Sequence, residues 1–147
     1  MNTERVIVLG LGKSGLAAAK LAIAGGAKVL VADEGHDERL ESAAAELAAL
    51  GAENWLGWTG QPLPEVDLAV ASPGLPADSP LIRAMEARGV PVWSELAFGA
   101  ARCQCPILAV TGTNGKTTTV ELITFMLNRA GKRAVAAGNI GYPVSEV

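Results

Sequence analysis

The sequence predicts an α/β fold: a Rossmann-like parallel sheet followed by the beginning of a second, P-loop-type unit. Three observations carry this. Short β-rich apolar runs alternate with helical segments along the chain, a pattern that implies parallel strands with helical crossovers. A glycine-rich loop, G-x-G-x-x-G, follows the first apolar run. A second glycine-rich stretch, "TGTNGKTTT" at 111–119, stands at a later strand-to-helix junction.

Each element has its own signal. "RVIVLG" (5–10) reads as a buried strand, and "SGLAAAKLAIAGG" (14–26) as a helix closed by glycines. "KVLVAD" (28–33) is a second strand, and "DERLESAAAELAALG" (37–51) a second helix stopped at Gly51. "DLAVAS" (67–72) is a third strand, followed by a Pro/Gly turn and a helix through "SPLIRAMEARG" (79–89). "VPVW" (90–93) reads as a fourth strand, with a short helix over 94–102. "PILAV" (106–110) and "RAVAAGN" (133–139) read as two more strands. Between them Thr119, Leu122, Ile123, Met126, Leu127 and Ala130 recur at helical spacing. The stretch "ARCQCP" divides the chain into units 1–102 and 103–147. The second unit would supply only part of a larger sheet, leaving an open edge and an uncovered apolar helix face.

Composition sets limits. The chain has 147 residues, 50% of them hydrophobic and 18% charged, which suits a packed core and argues against disorder. A net charge of -3 argues against broad nucleic-acid or anionic-membrane binding, though not against a local anion site made of backbone amides. Cys103 and Cys105 are too close in sequence to cross-link distant parts of a fold and read as reduced thiols. His36 is the sole histidine and lies far from them, so zinc is not expected. No apolar stretch reaches the ~20 residues of a membrane span, and a cytoplasmic protein is expected. Trp55, Trp58 and Trp93 read as packing residues, and Glu38, Glu41 and Glu46 as a solvated helix face.

The two glycine-rich loops carry the chemistry. In Gly10-Leu11-Gly12-Lys13-Ser14-Gly15, the glycines permit a tight turn whose amides face a phosphate at the helix start. Asp33 ends the second strand, where such folds often hold a ribose hydroxyl, so this loop on its own suggests a dinucleotide. "SPG" at 72–74 ends the third strand on the ligand-binding side of the sheet. In the second loop the standard phosphate pattern would place a glycine where Val110 stands; the extra glycine is Gly112 instead. Gly112 and Gly115 still allow the turn. Lys116 places a compact charge on terminal phosphates, the Thr117 hydroxyl is a Mg²⁺ ligand, and Thr118 continues into a helix whose positive end faces the same point.

Taken in order, "VLGLGKSG", "VASPG", "TGTNGKTTT" and "GNIG" resemble the Mur ligases of peptidoglycan synthesis, most closely their D-glutamate-adding branch. The resemblance covers essentially the whole chain and accounts for the displaced glycine, since that superfamily has a T-G-T-N-G-K-[ST] loop of its own. It implies a Rossmann-like domain that binds the UDP of a sugar substrate, followed by the start of an ATPase domain. Lys13, Ser14, Asp33, Glu34 and Gly74 would face the uridine diphosphate, with Asn139 near the UDP-sugar. Gly112, Thr113, Asn114, Gly115, Lys116, Thr117 and Thr118 would hold ATP and Mg²⁺. Family members often carry hydroxyl and basic residues after the equivalent of Asp33, where this chain has Glu34 and Gly35.

The implied reaction activates the carboxylate of UDP-N-acetylmuramoyl-L-alanine with ATP to an acyl phosphate, which the amine of D-glutamate attacks. The whole enzyme would be a monomer. No complete catalytic set is present in these residues, so the chain reads as an inactive N-terminal fragment. Ligases adding lysine, diaminopimelate or folyl-glutamate stay open, as does an NAD-dependent oxidoreductase that uses the first loop alone.

Overall fold

In the computed structural model, which describes residues 3–139 and 141–147, the chain forms a five-stranded parallel sheet with helices on both faces. The elements are β1 (Arg5–Leu9), α1 (Lys13–Ala24), β2 (Lys28–Ala32), α2 (Glu38–Ala49), β3 (Glu53–Trp55), β4 (Leu68–Ala71), α3 (Pro80–Glu86), β5 (Val92–Ser94), α4 (Glu95–Arg102) and α5 (Lys116–Arg129). A 3₁₀ turn, Val144–Glu146, follows near the end. The strand order is β3-β2-β1-β4-β5, so β1 is central and the chain winds outward from it in both directions.

The near-continuous apolar runs of β1 and β2 reflect burial from both sides, as parallel sheets with helical crossovers require. In β1, Val6 and Val8 point to one face, Ile7 and Leu9 to the other, and all four are fully buried. The first face packs against Ala18, Ala19 and Ala22 of α1, Leu40, Ala44 and Leu47 of α2, and Phe98 of α4. Alanine on α1 lets that helix lie close to the sheet. The opposite face is covered by Leu81, Ile82 and Met85 of α3 together with Trp58 and Leu63. Side-chain caps start three of these helices. Asp37 accepts from the amide of Leu40, Ser79 from Leu81 and Ser94 from Ala97.

Several sequence expectations need correction. β3 was not expected; Glu53–Trp55 is a short edge strand whose few residues carry no alternation pattern. Trp93 is 40% exposed on edge strand β5 rather than packed, whereas Trp58 is buried at 8% exposure. Segments 106–110 and 133–139 do not form strands. Strand formation needs a ladder partner, and among the described residues their sole bridge is Ala137 with Tyr142. Ile107 and Leu108 therefore stay 52% and 67% exposed. The expected helix is present as α5 and buries none of its residues, leaving Leu122, Phe125 and Met126 more than half exposed.

Truncating a β1 side chain buried on the α3 face should cost far more than truncating an exposed one. Ile7→Ala is expected to lose about 2–5 kcal/mol in chemical denaturation, against about 0.5 kcal/mol for Leu50→Ala at a half-exposed position. Equal losses at the two positions would mean that β1 is not the centre of the core.

Candidate functional site

In doubly wound sheets, ligands bind beyond the carboxyl ends of the strands where the winding reverses. Here that point lies between β1 and β4, and the loops following β1, β2 and β4 converge on it. Gly10 leaves β1 at a φ of 84°, in the left-handed region that favours glycine, and its amide donates to Ala32 O at 2.8 Å. A Cβ on Gly15 would stand 1.9 Å from Gly10 O, so α1 can begin against the loop only with glycine there. At Gly10, an added Cβ would meet Leu75 at 3.1 Å and Ser72 at 3.2 Å, which places the "SPG" loop directly against the first glycine loop.

Asp33 joins these parts. Its Oδ2 accepts the Leu11 amide at 2.6 Å and its Oδ1 accepts the Gly35 amide at 2.7 Å. The carboxylate thus fixes the loop after β1 to the end of β2, and its remaining lone pairs stay available to a ligand hydroxyl. Glu34 turns elsewhere: its Oε1 accepts the hydroxyl of Ser79 at 2.9 Å, tying it to the cap of α3. The start of α1 has no side-chain cap bond and no acidic residue in its first turn, so its leading amides face the crevice without a competing carboxylate. Lys13 is exposed, Ser14 half-buried and Gly74 exposed, all on this rim.

The chain's last residues return to the same rim. Lys13 Nζ donates to Gly141 O at 3.5 Å, lies 3.9 Å from a Glu146 carboxylate oxygen and sits 5.2 Å from the centroid of the Tyr142 ring. The Gly138 amide donates to Tyr142 O at 2.8 Å, closing the turn that carries exposed Asn139. Ile140 of the "GNIG" motif lies outside the described residues. Lys13, Ser14, Asp33 and Gly74 therefore stand on loops that meet at one crevice, with the Asn139 turn beside it.

The second loop is separate and open. Residues 112–118 are all exposed. Gly115 caps α5 in the left-handed conformation, φ 78°, and offers no side-chain cap bond. The amide of Thr119 is the first to close the helix, onto Gly115 O at 3.0 Å, and the preceding amides of Lys116, Thr117 and Thr118 have no intrahelical acceptor. Lys116 Nζ folds back to donate to Gly112 O, which keeps its charge over the loop. Uncapped amides, a helix start and a lysine over a glycine turn make a donor set that fits phosphate. Thr117 supplies a hydroxyl beside it. Among the described residues no cluster of three or more His, Cys, Asp or Glu side chains is placed to hold a metal ion.

Comparison with known proteins decides between the readings these two loops allow. Residues 4–94 match the family described as Mur ligase MurD-like, N-terminal domain, and residues 110–145 match the Mur ligase middle domain. The chain belongs to the MurD-like Mur ligases. It is similar to the UDP-N-acetylmuramoylalanine–D-glutamate ligases of Frankia casuarinae, at 47% identity over 95% of this chain and 30% of that protein, and of Streptomyces coelicolor, at 48% over 94% and 31%. Its fold resembles the crystal structure of UDP-N-acetylmuramate-alanine ligase MurC from Thermotoga maritima, with a TM-score of 0.58 and 25% identity over 88% of this chain and 30% of that one. A murein peptide ligase from Psychrobacter arcticus superposes with a TM-score of 0.57 at 26% identity, over 87% and 27%. The chain thus spans about 30% of the length of the curated Mur ligases it matches.

Ser72 belongs to the "SPG" stretch that the sequence points to, whereas sequence reasoning missed Tyr142, Glu95 and Gly99, which shape the return of the last segment. These three act through contacts between residues distant in sequence and had no signal. Asp33→Asn should cost about 1–3 kcal/mol of stability, because an amide nitrogen must then face one of the donors at Leu11 and Gly35. Urea denaturation measures this, and a wild-type midpoint would contradict the role given to Asp33.

Proposed function

We propose that these residues are the N-terminal part of an ATP-dependent ligase that joins D-glutamate to UDP-N-acetylmuramoyl-L-alanine in the cytoplasm, a step of peptidoglycan synthesis. The carrying observation is the pairing, in one chain, of a Rossmann-type crevice with a T-G-T-N-G-K loop, in a family whose similar relatives bear that ligase name. In this reading residues 1–102 form the nucleotide-sugar domain and 103–147 open the ATP-binding domain of a monomeric enzyme. A dehydrogenase would use the first loop and leave the second without a task.

The roles are read from the family resemblance together with the placement of these residues. The amides of residues 12–15 and the ammonium of Lys13 receive the diphosphate, Asp33 lies on the nucleoside side with Glu34 next to it at the α3 cap, Ser14 and Gly74 border the crevice, and Asn139 meets the sugar. Gly112, Thr113, Asn114 and Gly115 wrap the ATP phosphates with their amides. Lys116 neutralises the terminal phosphate, and Thr117 and Thr118 present hydroxyls at the helix start. The Thr117 hydroxyl would hold Mg²⁺ in part, and the ion would supply further neutralisation of phosphate charge. Transfer of the terminal phosphoryl group to the alanyl carboxylate makes an acyl phosphate. The D-glutamate amine then attacks its carbonyl and phosphate leaves. Positioning two substrates is worth roughly 7–11 kcal/mol, so these residues alone, at about 30% of the length of the relatives, should show no turnover.

The test uses the whole open reading frame that contains these residues. Phosphate release should require ATP, UDP-N-acetylmuramoyl-L-alanine and D-glutamate together. Loss of a charge-assisted hydrogen bond of roughly 1.5–3 kcal/mol should make Lys116→Ala bind ATP about tenfold or more weakly in calorimetry. Unchanged ATP affinity and turnover in that variant, or release independent of the amino acid, would refute the proposal.

A further inference from the structure

The charged residue most completely withdrawn from solvent has no part in either loop. Glu95, the first residue of α4, is 3% exposed, and its Oε1 accepts the backbone amide of Ser145 at 2.7 Å. One turn along the same face lies Gly99, also buried. A Cβ there would stand 2.7 Å from Ser145 N and 2.8 Å from Val144 C, so the backbone of the last segment occupies the space that a side chain would take. Such close contact is with main chain, which cannot rotate aside. The carboxylate and the glycine together form a notch on α4 that fits one placement of residues 144–145.

What that placement holds is the rim of the first crevice. Tyr142 and Glu146 flank Ser145, and both reach Lys13 at the start of α1. These Lys13 contacts are long and largely exposed, so they cannot fix the segment themselves. The fixed contact is the buried one at Glu95. Leu96, beside it on α4, comes within 3.6 Å of where a Cβ on Gly138 would be, at the foot of the Asn139 turn. The Gly138–Tyr142 hydrogen bond then links that turn to the seated segment.

We infer that Glu95 is a positioning residue for the nucleotide-sugar site: through the Ser145 amide and the Gly99 notch, it seats the last segment so that Lys13 and the Asn139 turn border the crevice. The inference rests on the nucleotide-sugar reading of that crevice. Glu95 touches no substrate itself. Its effect should fall on the first substrate and spare ATP, because the hydrogen bonds of the second loop stay within it and its own helix, from Lys116 to Gly112 and from Thr119 to Gly115.

Calorimetry and steady-state kinetics on the whole open reading frame test this with Glu95→Ala, Glu95→Gln and Gly99→Ala. Gly99→Ala keeps the helix, alanine being the better helix former, yet obstructs the notch. Misplacement of binding groups by about 1 Å can cost up to a hundredfold, so Glu95→Ala and Gly99→Ala should raise Kd and KM for UDP-N-acetylmuramoyl-L-alanine about tenfold or more. The Kd for ATP should stay within about twofold of wild type on the same scale. Glu95→Gln keeps an oxygen acceptor for Ser145 and should recover most of the affinity. A purely structural role would lower stability and the active fraction in all assays while leaving that KM unchanged. Wild-type sugar affinity in Gly99→Ala overturns the inference, as does an equal loss of ATP and sugar binding. Failure of the wild-type enzyme to bind the UDP-sugar at all would instead remove the reading on which it rests.

Discussion

The candidate site depends on one carboxylate. Asp33 stands at the end of β2 and takes the amides of Leu11 and Gly35 on its separate oxygens. Without it the amides of Leu11 and Gly35 would lose their acceptor, and only the backbone bond from Gly10 to Ala32 O would tie the loop to β2. With it, the glycine loop, the start of α1 and the "SPG" turn have one relative placement. Backbone groups must be satisfied somewhere, and here satisfaction of two of them sets the shape of the crevice. The same residue that a sequence reading assigns to a ribose hydroxyl is thus first an architectural tie. Both uses are compatible, since an ionised carboxylate accepts more than two hydrogen bonds.

Much of this was legible in the sequence because it is local. Apolar runs of the right length gave β1, β2 and β4; glycines and caps gave the ends of α1 and α2; and "GLGKSG" beyond a strand located the crevice. What was not legible is what depends on contact between distant residues. β3 is a strand because its backbone pairs with β2 from Leu30 to Ala32, and nothing in Glu53-Asn54-Trp55 itself announces that. Segments 106–110 and 133–139 show the reverse. Their composition favours strands, but propensity for strands describes fit to a sheet and creates no ladder partner. Glu95 and Gly99 gave no signal either, being one acidic residue and one glycine in a short helix until Ser145 is placed against them.

The two glycine loops differ in how far the described residues complete them. The first is enclosed by three loops and approached by a returning segment. The second stands on a helix with no buried residues, its uncapped leading amides presented openly. The family matches fall on either side of residues 95–109, at 4–94 and at 110–145. Among the described residues no helix is long and apolar enough to cross a membrane, so the exposed apolar residues of α5 do not indicate a span.

The central claim is that the crevice at the carboxyl end of β1 receives a nucleoside-diphosphate sugar. Amide chemical-shift mapping on the 147-residue chain, titrated with UDP-N-acetylmuramoyl-L-alanine and with NAD in competition, tests it most directly. The account expects the sugar nucleotide to shift the amides of Leu11, Gly12, Lys13, Ser14 and Gly74, with Tyr142 following, and NAD to leave them unmoved. Shifts at those amides with NAD alone, at micromolar concentration, would contradict it.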